Sequence, residues 1–224
     1  MVVGSFGSHA ELSAADAINV GSSCDLVEIR LDLITTEPAA APPPWRHLLE
    51  LPLLFTARRQ DEGGGQALTA SARMKLLEHA LPHAAWFDIE VASITEMGPL
   101  LTELRRLQIP WLASCHDFKK LPATSVLTAA AQRARDAGAA AFKVAAWLQQ
   151  PTELARLADF QLANHGIPLA TMGMGPLAAV SRLLCAQCGS LFNYGYLGHT
   201  ATAPGQWDAA LLHQLIARLP PLTV

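Results

Sequence analysis

Short apolar runs and stretches with helical spacing alternate along the whole chain. The runs are rich in β-branched, aromatic and aliphatic residues, which is typical of buried strands, and apolar positions three and four apart follow each run. The pattern predicts strands over Val2–Phe6, Leu26–Leu33, Leu53–Arg58, Trp86–Val91, Pro110–His116, Ala141–Trp147, Pro168–Met174 and Leu191–Tyr196. It predicts helices over Ala10–Val20, Trp45–Leu51, Ser71–Leu81, Ile94–Leu107, Ser125–Ala137, Thr152–Asn164, Leu177–Cys185 and Trp207–Leu219.

Eight strand–helix units in 224 residues indicate an α/β protein, a single (β/α)8 TIM barrel. We therefore expect residues 1–224 to form one barrel domain. A doubly wound open sheet is the alternative, but no GxGxxG follows the first strand, as its dinucleotide-binding form requires. Barrels place their active sites at the carboxyl ends of the strands, so polar residues there are the candidates for function.

Charge, hydropathy and cysteine spacing argue against several classes of partner and site. The net charge is −3 and no basic cluster exceeds two adjacent residues, which argues against a nucleic-acid partner. The uncharged stretches are interrupted by Gly, Pro, Asn or Gln, so we expect no membrane span, and the N-terminus lacks the pattern of a signal peptide. A cytoplasmic protein is the expectation. Cys185 and Cys188 have metal-ligand spacing, but without a second ligand pair we expect packing cysteines and no metal.

Charged residues alternate with apolar ones at the ends of two predicted strands. Glu28, Arg30 and Asp32 share one face of the second strand, and Arg58 shares the parity of Thr56 on the third. Helices cover the outside of a barrel, so these charges should point into its mouth. Glu62 opens a glycine-rich loop after the third strand, which could fold over a site or form a salt-bridged turn.

Lys143 is the most informative residue, because it lies alone in the apolar sixth strand. Burying an ammonium costs several kcal/mol unless the group is paired or deprotonated, and a desolvated lysine becomes a usable nucleophile. The alternative is a structural lysine paired with a carboxylate such as Glu90. His116 ends the fifth strand with the parity of Ser114, so His116 and Lys143 can face one bound molecule across neighbouring strands.

Two further features follow the last strands. Arg182 lies in the helix after the seventh strand and suits bidentate contact with a carboxylate, unless it is a surface arginine. Residues 199–206 are mostly small and read as a lid loop or as a plain connector.

The ordered set of polar fragments resembles the type I 3-dehydroquinate dehydratases over nearly the whole chain. The fragments are Glu28–Asp32, Phe55–Arg58 with Glu62–Gly64, Asp88–Glu90, Ser114–Phe118, Lys143–Ala145, Met172–Gly175, Ser181–Arg182 and Ala203–Gln206. The resemblance implies a lyase of the shikimate pathway that converts 3-dehydroquinate to 3-dehydroshikimate. It also implies a (β/α)8 barrel without metal or cofactor, and a homodimer.

Roles for individual residues follow from the same resemblance. Lys143 would form the Schiff base, His116 would be the general acid and base, and Glu62 would orient His116. The substrate would be bound by Ser5, Glu28, Arg30, Arg58, Arg182, Thr202 and Gln206.

The chain departs from the family pattern at several points. Thr202 stands where serine is usual, Gly173 replaces serine between two methionines, and Tyr194 replaces phenylalanine. The N-terminal hairpin that often closes the barrel bottom is expected to be absent. Two other functions remain open: a class I aldolase-like Schiff-base lyase, which also carries its lysine on strand six, and an inactive binding homologue.

Overall fold

The computed structural model describes residues 1–34 and 42–220. Eight parallel strands form one sheet in the order β7-β6-β5-β4-β3-β2-β1-β8, so the (β/α)8 prediction is confirmed. The strands are β1 Val2–Phe6, β2 Leu26–Arg30, β3 Leu53–Thr56, β4 Trp86–Glu90, β5 Trp111–Asp117, β6 Ala141–Trp147, β7 Leu169–Met174 and β8 Asn193–Tyr196. The helices are α1 His9–Ser13, α2 Ala17–Ser23, α3 Leu31–Ile34, α4 Ala70–Ala80, α5 Gly98–Leu107, α6 Thr124–Asp136, α7 Pro151–Leu162, α8 Ala178–Gln187 and α9 Ala209–Ile216.

Two helix predictions were wrong. The single helix expected over Ala10–Val20 is two helices, because the side chain of Asp16 accepts a hydrogen bond from the backbone N–H of Asn19 and caps a new start. The helix expected over Trp45–Leu51 is a 3-10 turn of three residues, Arg46–Leu48. Trp45 before it is buried against the ring of Phe55, with 5.0 Å between ring centroids.

The inward-facing residues of each strand change from apolar to polar towards the carboxyl end. Leu26, Leu54 and Leu112 belong to the apolar cluster that fills the barrel interior. Two residues further along the same strands come Glu28, Thr56 and Ser114, and all of them are buried. Since side chains two apart share a face, this change places the polar groups together at the carboxyl end of the barrel.

The seam between β7 and β8 is closed mainly by side-chain groups. Within the described residues these two strands share no ladder, although the N–H of Leu191 donates to the carbonyl of Leu169 at 2.8 Å. Nearer the carboxyl ends of these strands, the guanidinium of Arg182 bridges β7 and β8. It donates from Nε to the carbonyl of Tyr194 at 3.0 Å and from Nη1 to the carbonyl of Gly173 at 2.9 Å. Arg182 therefore helps to close the barrel.

Candidate active site

One cavity opens at the carboxyl end of the barrel, and all ten side chains predicted from the sequence line it. The elements that supply them are strands β1, β2, β5 and β6, the loops after β3 and β8, and helix α8. The ten are Ser5, Glu28, Arg30, Arg58, Glu62, His116, Lys143, Arg182, Thr202 and Gln206.

Lys143 lies in the middle of β6 and is only 4% exposed. Its Nζ donates to Oδ2 of Asp88 at 2.8 Å and lies 4.1 Å from the ring centroid of Tyr194, within the range of a cation–π contact. The sequence offered Glu90 as an example of a carboxylate that could pair with Lys143, and that example was wrong. The partner is Asp88, while Glu90 accepts from Arg58 and Arg73.

Asp88 is the acceptor on which the buried donors converge. It accepts from Nη1 and Nη2 of Arg58 at 2.9 and 2.7 Å, from the hydroxyl of Ser114 at 2.5 Å and from Lys143. Arg58 also donates to Glu90 at 3.1 Å, and Glu90 accepts from Arg73 at 2.9 Å. Three cations and two carboxylates thus form one buried network around Lys143.

The network sets the protonation of its two central groups. Burial alone would raise the pKa of Asp88, but the charges of Arg58 and Lys143 outweigh burial and hold that pKa far below its usual range. Burial lowers the pKa of Lys143, and Asp88 opposes this by favouring the ammonium. Lys143 therefore loses its proton more readily than an ordinary lysine while it stays held in place.

His116 is oriented by Glu62. Oε2 of Glu62 accepts the backbone N–H of His116 at 2.9 Å and lies 3.0 Å from Nδ1 of its ring. With the proton on Nδ1, Nε2 is left as the base. Burial, followed by the charges of Arg58 and Lys143, lowers the pKa of His116 well below its usual value, so the imidazole is neutral at pH 7. Burial raises the pKa of Glu62 to about 7, although Arg58 opposes that shift.

Arg182 is a buried cation without an acidic partner among the described residues. It is 1% exposed, and its donors reach only the backbone carbonyls of Tyr194, Gly173 and Ala178. Burial lowers its pKa to about 10, still well above neutral. A buried positive charge that faces a cavity and lacks a carboxylate is suited to bind an anion there.

Glu28 accepts two hydroxyl donors. Ser5 donates to its Oε2, and Thr56 donates to its Oε1 at 2.7 Å. Arg30 is paired through Nε and Nη2 with Asp32, at 2.9 and 2.7 Å, and also reaches the carbonyl of Gly63. These polar groups are thus engaged with one another at the cavity wall.

The loop after β8 is held together by Gln206. Its Oε1 accepts from the backbone N–H and the hydroxyl of Thr202, at 2.9 and 2.8 Å, and from the N–H of Ala203 at 3.2 Å. The additional methyl group of Thr202 fits because residue 7 is glycine: a Cβ there would lie 2.7 Å from Cγ2 of Thr202. The loop is therefore adapted to threonine in place of the usual serine.

Gly173 is explained by close packing. A Cβ at this position would lie 2.5 Å from a methyl carbon of Leu148 and 2.7 Å from the hydroxyl oxygen of Ser181. That hydroxyl instead accepts the N–H of Gly173 at 2.8 Å. Serine therefore does not fit here without rearrangement of its neighbours.

Sequence reasoning gave no role to several residues of the site. Asp88 entered only as the first residue of the fragment Asp88–Glu90, and its link to Lys143 depends on contacts between three strands. Tyr194 was noted only as a departure from phenylalanine. Gly63, Phe118, Ala145 and Ala203 also line the cavity; they lie in the fragments that carry the resemblance, but none was given an individual role.

No group of three or more His, Cys, Asp and Glu residues that could hold a metal occurs in residues 1–34 and 42–220. The same part of the chain contains no helix that is long and apolar enough to cross a membrane. Cys185 and Cys188 are free thiols, the first buried and the second partly buried.

Comparisons with family models, relatives and solved structures all point to the same family. The model of the type I 3-dehydroquinase family matches residues 5–219. A 3-dehydroquinate dehydratase of Methanocella arvoryzae is 30% identical over 86% of this chain and 85% of its own length, and one of Desulfotalea psychrophila is 32% identical over 88% of both. The crystal structure of the Geobacillus kaustophilus 3-dehydroquinate dehydratase superposes with a TM-score of 0.84 at 23% identity, covering 96% of this chain and 89% of that one.

Proposed function

The chain belongs to the type I 3-dehydroquinase family, an enzyme family of hydro-lyases, and from this premise we propose that it dehydrates 3-dehydroquinate through a Schiff base on Lys143. One observation carries the proposal. A single cavity holds a buried lysine on β6 and, on the adjacent strand β5, a histidine oriented by a carboxylate.

Lys143 attacks the ketone carbon of the substrate as the free amine. Its lowered pKa makes that form accessible, while Asp88 fixes the direction of Nζ. The carbinolamine loses water to give an iminium. The iminium draws electrons from the neighbouring C–H bond and so acidifies its proton.

His116 acts on the iminium as base and then as acid. The free Nε2 removes the acidified proton, and the same proton is returned to the departing hydroxyl, which leaves as water. Glu62 holds the ring through Nδ1 and stabilises the transient imidazolium. Water then hydrolyses the product imine, restoring the Lys143 amine and releasing the enone, so the net change is loss of one water.

Arg182 binds the substrate carboxylate. It is the buried cation of the cavity that no acid of the described chain neutralises, so an anionic substrate supplies its missing counter-charge. Gln206 and Thr202 close over the same region from the loop after β8. The remaining polar wall of Ser5, Glu28, Arg30 and Arg58 exchanges some of its internal hydrogen bonds for substrate hydroxyls.

The wider setting belongs to the same proposal. Residues 1–224 form one catalytic domain, and the enzyme acts as a homodimer in the cytoplasm, within the shikimate pathway. No metal or cofactor takes part, because the lysine supplies the electron sink and the histidine moves the proton.

Turnover of 3-dehydroquinate, followed by the ultraviolet absorbance of the conjugated product, tests this function. Lys143→Met should abolish turnover, and His116→Ala should slow it by about 10²- to 10⁴-fold. Lys75→Met is the matched control, since Lys75 is exposed on α4, and it should leave turnover unchanged.

Two results would contradict the proposal. Cleavage of a sugar phosphate with no action on 3-dehydroquinate would indicate an aldolase-like lyase. Binding of 3-dehydroquinate without any conversion would indicate an inactive homologue.

A further inference from the structure

Tyr194 occupies a position in the cavity that the proposed reaction does not yet use. It lies on β8, is 4% exposed and lines the same cavity as His116 and Arg182. The face of its ring lies beneath the reacting atom of Lys143, with Nζ 4.1 Å from the ring centroid. The hydroxyl at the edge of that ring is therefore close to any group that becomes bonded to Nζ.

The hydroxyl of Tyr194 is buried and has no hydrogen-bond partner within the described residues. Two other buried hydroxyls of the barrel interior have partners: Ser114 donates to Asp88, and Thr56 donates to Glu28. Three other buried side-chain polar atoms of the described chain are unpartnered, in Glu11, Trp45 and Asn193, but none of these residues lines the cavity. A buried hydroxyl without a partner is costly, so this one calls for a ligand group.

The phenol keeps its proton at any working pH. Burial raises the pKa of Tyr194 well above its usual value, and the negative charges of Asp88 and Glu28 raise it further against the opposing charge of Arg58. The hydroxyl is therefore a hydrogen-bond donor, and an oxygen of the ligand is the group that it lacks.

We propose that the hydroxyl of Tyr194 binds an oxygen of the substrate, either on the carbon that Lys143 attacks or on the carbon next to it. The inference rests on the proposed function, and it adds a further residue that positions the substrate against Lys143. 3-Dehydroquinate carries oxygen at both carbons. The face of the Tyr194 ring contacts Nζ of Lys143, while the hydroxyl at the edge of the ring positions the substrate carbon that Nζ attacks.

Tyr194→Phe removes this oxygen and nothing else. One lost hydrogen bond to a neutral group should lower kcat/KM for 3-dehydroquinate by about 3- to 10-fold. The melting temperature of the ligand-free protein should not fall, since the hydroxyl has no protein partner to lose. Tyr196→Phe is the matched control: Tyr196 is the only other tyrosine, lies on the same strand and does not line the cavity. It should leave kcat/KM unchanged.

Two outcomes would overturn the inference. One is a kcat/KM for Tyr194→Phe equal to that of the wild type. The other is a loss of activity in step with a lower melting temperature of the ligand-free protein, which would assign the hydroxyl a structural role. Failure of the wild type to convert 3-dehydroquinate would instead contradict the proposed function, so the two failures are distinguishable.

Discussion

Replacing Asp88 with asparagine tests whether the buried network around Lys143 depends on one negative charge. The carboxylate accepts four hydrogen bonds, two from Arg58 and one each from Ser114 and Lys143. Asparagine keeps the shape of the side chain but has one acceptor oxygen, and its NH2 group faces the donors of Arg58 or Lys143. The substitution therefore leaves buried cations without compensation.

The expected loss of stability is large. Removing one partner of a buried ion pair costs about 3–5 kcal/mol, against a total stability of about 5–15 kcal/mol for a typical domain. For a domain of this size, each kcal/mol corresponds to about 2–4 °C, so the melting temperature should fall by about 6–20 °C. Both groups of the Arg58–Asp88 pair are nearly inaccessible, with side-chain exposures of 3% and 0%, so solvent screening does not reduce this estimate.

The assay is urea unfolding at pH 7 for the wild type, Asp88→Asn and Asp61→Asn. Asp61 is the matched control, because it pairs with Nε and Nη2 of Arg59 but its side chain is 67% exposed. Its loss should cost less than about 1 kcal/mol. Equal midpoints for the two variants would refute the reasoning that burial makes the Asp88 pair dominant.

The pH dependence of the same comparison has a defined sign. The folded pKa of Asp88 lies far below the unfolded value of about 3.9, so its contribution is fully present above that pH and is lost as the pH falls below it. The gap between wild type and Asp88→Asn should stay constant from pH 8 to about pH 5 and narrow below about pH 4.

Two further variants test the groups around the substrate. Arg182→Lys keeps the positive charge but loses the planar guanidinium that can donate two hydrogen bonds to one carboxylate, so KM for 3-dehydroquinate should rise by about 10- to 100-fold. An unchanged KM would show that Arg182 does not bind the carboxylate. Burial raises the pKa of Glu62 from 4.5 to about 7, so between these pH values the folded state keeps a proton that the unfolded state has lost. The stability of the wild type therefore falls as the pH rises from 4.5 to 7. Glu62→Gln does not titrate, so urea unfolding at several pH values should show its stability increasing relative to that of the wild type over this range; a constant difference would show that the pKa of Glu62 is not raised.

The sequence was sufficient for the fold and for ten of the side chains that line the cavity. Few folds accommodate apolar strands that carry polar residues at every second position. In a barrel, the inward-facing side chains of Glu28, Arg30 and Lys143 can lie together at the mouth. Strands β1 and β6 were predicted with their observed ends. The polar residues at the ends of the other strands follow the same rule, which is why the predicted side chains line one cavity.

The partner of Lys143 could not be read from the sequence. Strand register aligns Glu90 with Ser114 and Ser114 with Lys143, so pattern and register both favour Glu90. In the structure Nζ of Lys143 donates to Asp88, while Glu90 accepts from Arg58 and from Arg73, which reaches in from α4. These partners depend on three-dimensional packing rather than on the spacing of residues.

The role of Arg182 in joining β7 to β8 could not be inferred from the sequence for a similar reason. A helix arginine can be assigned to a carboxylate from the resemblance alone. Its two bonds that bridge β7 and β8, to the backbone carbonyls of Gly173 and Tyr194, depend on the absence of a strand ladder between β7 and β8. The space that Gly7 gives to the methyl group of Thr202 is likewise a contact between distant segments.

Borohydride reduction during turnover tests the central claim most directly. The chain has four lysines, Lys75, Lys119, Lys120 and Lys143, so peptide mass spectrometry can assign a reduced adduct to one of them. With 3-dehydroquinate and borohydride present, we predict loss of activity together with a mass increase on the peptide that contains Lys143. Turnover that continues with Lys143 unmodified, or an adduct confined to another lysine, would contradict the Schiff-base account.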